Sequence, residues 1–214
     1  MDQELVVRPE ELFYVGKQMD GLYYNYDYYS AIPAVDQGGG KKLLWGCESS
    51  LAERGLLEEN DEGDLTVSEA VKQMLQPIFF GERQAKVVSY PDIQKNEGYA
   101  LYFHWFEDQC RMVWETKSGF SICAVKDSDV LAAIGAMLPD GHLDKEPPAG
   151  MDAPNQGQVT QVISVCSTVA GGAAKEMRAA VADGWLCLIE DGALRVLSPA
   201  EFYGLVSSVM KEEV

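Results

Sequence analysis

Chemistry has few places to start in this chain. It holds two histidines, five cysteines and thirty-four acidic residues, and none of them is spaced as a reactive set. His104 falls inside an aromatic run, Tyr99-Ala100-Leu101-Tyr102-Phe103-His104-Trp105-Phe106, where a histidine reads as part of a sheet face. His142 sits in a loop, Asp140-Gly141-His142-Leu143. No H-E-x-x-H or C-x-x-C spacing offers a metal site, and no G-x-S-x-G turn presents a serine nucleophile. Cys47, Cys110, Cys123 and Cys187 lie on apolar faces, where cysteine behaves as a small buried hydrophobe; Cys166 is open to either reading. The acidic run Glu58 to Asp64 lacks the central glycine and closing glutamate of a calcium loop and reads as a solvated turn. Gly38-Gly39-Gly40 has no downstream Gly-Lys-Ser/Thr to cradle a phosphate. The expectation is a protein that is not an enzyme, with no catalytic residues, no cofactor and no metal.

Composition narrows the partners. A formal net charge of −17 repels nucleic acid, which is bound through Lys and Arg, and disfavours anionic membrane surfaces for the same reason. The charge serves either solubility alone or a partner with a basic or easily aggregating surface. No apolar run approaches the roughly 20 residues that cross a bilayer, so no membrane insertion is expected. Met1-Asp2-Gln3-Glu4 has no basic or apolar leader character. Dispersed, odd-numbered cysteines then point to reduced thiols and a cytoplasmic location.

The elements follow from periodicity. Tyr99 to Phe106, Cys110 to Lys117 and Phe120 to Val125 alternate as an antiparallel meander. Asp127-Ser128-Asp129 opens a helix whose Val130, Leu131, Ile134, Met137 and Leu138 share a face. Ahead of the meander come a strand at Glu4–Arg8, a helix started by Pro9-Glu10-Glu11 and a helix over Leu43–Arg54. A further helix opens on a Thr66-x-x-Glu69 capping box and ends at Pro77, and a strand follows at Ala85–Tyr90. Tyr23, Tyr24, Tyr26, Tyr28 and Tyr29 form either a recognition surface or a layer packed over a sheet. After the Pro- and Gly-rich stretch 140–157, Val159–Cys166 reads as a strand or a buried helix and Ala173–Ala182 as a helix. Trp185–Ile189 with Ala193–Leu197 reads as a hairpin, and Ser198-Pro199-Ala200-Glu201 as a capping box for the last helix.

One pattern recurs. Residues 4–14 and 193–203 both run strand, proline at a helix start, acid, aromatic, which suggests two similar halves sharing one sheet. The expected fold is α+β, a central antiparallel sheet flanked by helices with quasi-two-fold halves: 1–139, a linker loop at 140–157, and 158–214 packed on the same sheet.

Three motifs occur in a telling order: Ser50-Leu51-Ala52-Glu53-Arg54-Gly55-Leu56, Leu75-Gln76-Pro77 and Met137-Leu138-Pro139. Over residues 43–139 this order resembles the EspG family of ESX (type VII) secretion chaperones and the related chaperone-like proteins of Gram-positive systems. There, a helix ending L-x-x-R-G-L precedes a short helix reaching L-x-x-P, then strands and a helix ending L-P. The resemblance implies a cytoplasmic, non-catalytic chaperone that keeps a secretion substrate soluble until export. It implies a grip by the loop Tyr90 to Gly98, with Tyr90, Pro91, Asp92, Ile93, Gln94, Lys95, Asn96 and Glu97 as partner-binding residues, and by helices around Ala173–Ala182 and Ala200–Lys211. An ordinary hairpin connection is the other reading of Pro91–Glu97. The tyrosine-rich segment and the acidic middle turn depart from mycobacterial members, which turns the expected partner from a PE/PPE pair towards a helical WXG100-like or LXG-type protein. Two other classes fit the composition. An immunity or antitoxin protein would neutralise a secreted toxin, and a winged-helix regulator loosely fits 51–75 against the acidic charge.

Overall fold

The computed structural model describes residues 4–21, 28, 39–95, 97–170 and 172–211. The described strands are β1 (Leu5–Val7), β2 (Leu57–Glu59), β3 (Leu65–Val67), β4 (Arg83–Asp92), β5 (Glu97–Phe106), β6 (Gln109–Thr116), β7 (Gly119–Val125), β8 (Val159–Val169), β9 (Lys175–Ala182), β10 (Trp185–Glu190) and β11 (Ala193–Val196). The helices are α1 (Pro9–Gln18), α2 (Gly39–Glu53), α3 (Glu69–Phe80), α4 (Asp127–Gly135) and α5 (Pro199–Met210). Nine strands form one antiparallel sheet in the order β1-β7-β6-β5-β4-β8-β9-β10-β11, and β2 pairs with β3 separately. The α+β expectation holds. From the β4–β8 pair a four-strand meander runs out on each side, β4 to β7 followed by α4 and β8 to β11 followed by α5, and β1 adds a ninth strand beyond β7. The strand–helix pairs that resemble each other in sequence, β1–α1 and β11–α5, carry the two edge strands. No described helix is long and apolar enough to cross a membrane.

The chain divides into two compact units, Met1–Gly81 with Trp105–Ala124, and Glu82–His104 with Val125–Val214. In the first, α1 buries Leu12 and Val15, and α2 buries Cys47 and Leu51. Tyr28 is buried with its ring centroid 4.9 Å from that of Phe120; the other tyrosines of 23–29 lie outside the described residues. The start of α3 corrects the sequence reading. Thr66 belongs to β3, and Ser68 is the cap residue before Glu69, because Leu57 to Glu59 pairs with Leu65 to Val67 and holds Thr66 extended.

Pro77 does not end α3 either; the helix runs on to Phe80. A proline inside a helix lacks the N–H that would bond the carbonyl four residues back, here that of Gln73. Arg111 of β6 supplies the missing donors. Its Nη2 donates to the Gln73 carbonyl at 3.2 Å and its Nε to that of Met74 at 3.0 Å. A buried cation from the sheet thus repairs the interrupted ladder.

In the second unit, β8 alternates cleanly. Gln161, Ile163, Val165 and Ser167 are buried, and α5 packs over β8 and β9 through Phe202, Val206 and Val209. Residues Lys175–Ala182 are a strand, not a helix. Their alanines favour a helix locally, but β8 and β10 pair with them on both sides, and that pairing outweighs a propensity of a few tenths of a kcal/mol per residue. The Pro- and Gly-rich stretch 140–157 lies inside this unit.

Candidate partner-binding surface

The loop singled out in the sequence is the tip of the β4–β5 hairpin. Tyr90, Pro91 and Asp92 close β4, Ile93, Gln94 and Lys95 form the turn, and Glu97 opens β5; Asn96 lies outside the described residues. Asp92 organises the turn. Its Oδ1 accepts from the Gln94 N–H at 3.0 Å, its backbone carbonyl accepts from the Lys95 N–H at 3.2 Å, and its Oδ2 lies 3.2 Å from Lys95 Nζ. The Gln94 N–H bond first, then Lys95, holds the exposed carboxyl below the ordinary aspartate range. Such side chain to backbone bonds define an Asx turn. The Ile93 N–H donates to the Thr160 carbonyl of β8 at 3.3 Å, so the tip is tied to its neighbouring strand.

With the turn fixed, Ile93 projects outward and is 42% exposed, beside exposed Pro91. Tyr90 turns to the other side of the pair. Its ring covers Gly98, where an added Cβ would come within 2.8 Å of it. Tyr99 is 46% exposed, yet its hydroxyl donates to the Met137 carbonyl at 3.3 Å. That carbonyl, two residues past the end of α4, also accepts from Gln161 Nε2 at 2.7 Å and Ser89 Oγ at 3.4 Å. Three adjacent strands therefore hold the carbonyl just past the helix end, and the hairpin has a hydrogen-bonded root under a tip where Pro91 and Ile93 stand exposed among polar residues. Tyr99, one residue past the expected loop, was signalled only by its place in the aromatic strand.

Of the two helices expected beside the hairpin, one is strand β9. The other is α5, capped as the sequence predicts: the Ser198 N–H donates to Glu201 Oε2 at 2.8 Å, and the Glu201 N–H to Ser198 Oγ at 3.2 Å. Ala200, Glu201, Gly204 and Ser208 are exposed on its outer side.

Reactive chemistry is thin among the described residues. All five cysteines are free. Burial pushes the Cys47 thiol up to about 11 and raises those of Cys166 and Cys187 as well, away from the thiolate that a nucleophile needs. Burial lowers His104 to about 4, which leaves it neutral at pH 7. No group of His, Cys, Asp and Glu among the described residues could hold a metal ion.

No family model matches the chain, and no curated protein matches it in sequence. Among solved structures it is similar to the Mycobacterium tuberculosis type VII secretion system chaperone EspG5, determined in complex with the PE25–PPE41 dimer. The two share 11% identity with a TM-score of 0.61, covering 97% of this chain and 95% of that one. The likeness is one of fold.

Proposed function

We propose that this chain is a non-catalytic chaperone of a type VII secretion system, acting in the cytoplasm to hold a helical secretion partner soluble before export. The observation that carries the reading is the end-to-end likeness of fold to EspG5. The β4–β5 tip fits it physically. Ile93 stands on a turn already ordered by Asp92 and Thr160, so covering it costs little conformational entropy. Burying its remaining exposed surface contributes on the order of 1 kcal/mol. A secreted helical protein with an apolar end is the kind of partner that self-associates unless covered, and a chaperone of charge −17 keeps the complex dispersed. The partner is of the WXG100-like, LXG-type or PE/PPE class, and residues 90–97 are its first contact.

The test is affinity capture of the tagged chain from its own cytoplasm, with mass spectrometry of what is retained, beside an Ile93→Glu variant. Recovery of a small helical secretion protein, or the N-terminal region of a secreted toxin, with loss of at least ten-fold in the variant, is the expected result. Recovery of a toxin's catalytic domain alone would turn the reading to an immunity protein. A partner held equally by the variant would remove the hairpin from the site.

A further inference from the structure

The two strand–helix pairs at the sheet edges repeat the same carboxylate device, but only one of them is finished. Glu11, third residue of α1, accepts the Arg8 N–H on Oε2 at 2.9 Å, and the Arg8 guanidinium on Oε1 at 2.9 Å. Glu201, third residue of α5, accepts the Ser198 N–H on Oε2 at 2.8 Å, and Arg195 Nη1 lies 3.4 Å from its Oε1. In both, the glutamate closes its own helix start and takes an arginine from the preceding strand or the turn after it.

Around Glu11 a third element completes the set. Helix α2 brings Ser50 Oγ to Oε1 at 2.8 Å, and Arg54, one turn on in the chain, brings Nη1 to Oε2 at 3.1 Å. Arg54 also donates to the Val6 carbonyl of β1. Farther along the same face of α1, Tyr14 donates to Glu48 of α2 at 3.0 Å, and Gln18 donates to Tyr14 at 3.2 Å. Covered in this way, the Glu11 side chain has no exposure at all. Glu201 keeps 53% of its side-chain exposure. The positions that correspond to Tyr14 and Gln18 are Gly204 and Ser208, both exposed, and a Cβ added at Gly204 would meet nothing within 4 Å.

We propose that the outer face of α5, centred on Glu201, docks a partner helix that presents a serine and an arginine one turn apart, as α2 presents Ser50 and Arg54 to Glu11. The inference rests on the reading of this chain as a receptor for helical proteins and specifies the chemistry recognised. The partner's arginine forms a charge-assisted pair with a carboxylate already oriented by its own helix start. The second acid on this edge, Glu190, lies 3.4 Å from Arg195 Nε and adds to the negative character that draws a basic helix. Gly204 lets that helix approach more closely than Tyr14 lets α2 approach α1. A helix with an acidic residue in the arginine's place is rejected by like charge.

The full-length chain, 15N-labelled, provides the test. The probe is a helix-stapled synthetic peptide of residues 43–56 with Cys47→Ser, which carries the Ser50 and Arg54 pair; the matched control carries Arg54→Glu. The expected result is saturable movement of the 198–208 amide signals with the first peptide. At least ten-fold weaker binding is expected for the control, and for the first peptide with Glu201→Gln, in which Gln keeps an acceptor for the Ser198 N–H. Absence of movement at 198–208 up to millimolar peptide would overturn the proposal, as would equal binding of the two peptides. Neither outcome depends on whether a secretion partner is recovered by affinity capture, so the two readings fail separately.

Discussion

Replacing Arg111 with leucine tests whether the sheet repairs the proline-interrupted helix. The guanidinium is buried, and burial is the main influence that lowers its pKa. The substitution removes bonds to the Gln73, Met74 and Cys110 carbonyls and to Gln109 Oε1. A hydrogen bond from a charged donor is worth roughly 1.5–3 kcal/mol, and a buried acceptor left unmade costs about 1–3 kcal/mol. Against these stands the relief of no longer desolvating a cation, which is several kcal/mol. The net expected loss is about 3 kcal/mol, or roughly 6–12 °C in Tm for a chain of this size.

Pro77→Ala restores an N–H that can reach the Gln73 carbonyl. Arg111→Leu is then expected to cost less in the Pro77→Ala background, by about 1–2 kcal/mol. Urea denaturation followed by far-UV circular dichroism on the four proteins measures the coupling. If the cost of Arg111→Leu is the same in both backgrounds within about 0.5 kcal/mol, the arginine is not standing in for the proline's missing N–H and the reasoning is refuted.

The Glu11 cluster makes a second double-mutant case. Glu11→Ala is expected to destabilise by about 3 kcal/mol and Arg54→Ala by about 1–2, since Arg54 is partly in water and its pair is screened, with coupling near 1 kcal/mol; additive costs would refute the link. Burial alone would raise the Glu11 carboxyl, but the Arg8 N–H, Ser50 and the Arg8 guanidinium outweigh it and hold it low. Its contribution is therefore full above the unfolded value of about 4.3 and lost as pH falls through the lower folded one, so wild type and Glu11→Gln should converge in acid. His104 acts from pH 6.5 downward. Its folded pKa is about 4, so the unfolded chain binds a proton first, and stability falls by about 2 kcal/mol between pH 8 and pH 5; His104→Gln should flatten that part of the profile in thermal melts. Gln161→Leu removes the 2.7 Å donor to the Met137 carbonyl and the bond to Ser89 at 2.8 Å. An expected loss of about 1–2 kcal/mol, with faster amide exchange at the β4–β5 hairpin, would be contradicted by unchanged exchange there.

The meander is legible in the sequence because its face alternation and its turns agree. Glu107, between β5 and β6, at φ 51° and Gly119, the first residue of β7, at φ 135° occupy the left-handed region, and Asp108 and Ser118 beside them are turn formers. The helix starts at Pro9 and Pro199 are legible for the same reason: proline, acid and apolar spacing say one thing. Legibility fails where the deciding partner is distant. Lys175–Ala182 carries helix formers, and only β8 and β10 make it a strand. Pro77 reads as a stop until Arg111, well downstream in the chain, supplies donors for its turn. At the hairpin, the loop's location follows from polar residues, whereas the bond that ties the tip to β8 comes from the Thr160 carbonyl, which nothing near residue 93 announces.

The strand order, two meanders joined through β4 and β8 with β1 added at one edge, has a kinetic consequence. Nearly every neighbouring pair in the large sheet is a sequence-local hairpin, of the kind that closes in about 1–10 μs. Two pairs are not: β1 with β7, joining Leu5 to Ile122, and β4 with β8, joining Tyr90 to Val162. Each compact unit contains one of them, and each must close a long loop before its strands are rewarded for meeting. Substitutions at Val87 or Val165, which face each other in β4 and β8, should therefore lower the folding arm of a chevron plot, while those in β10 and β11 act on the unfolding arm. Until β4 and β8 meet, both present unpaired strand edges, so the chain has its own most adhesive moment early in folding.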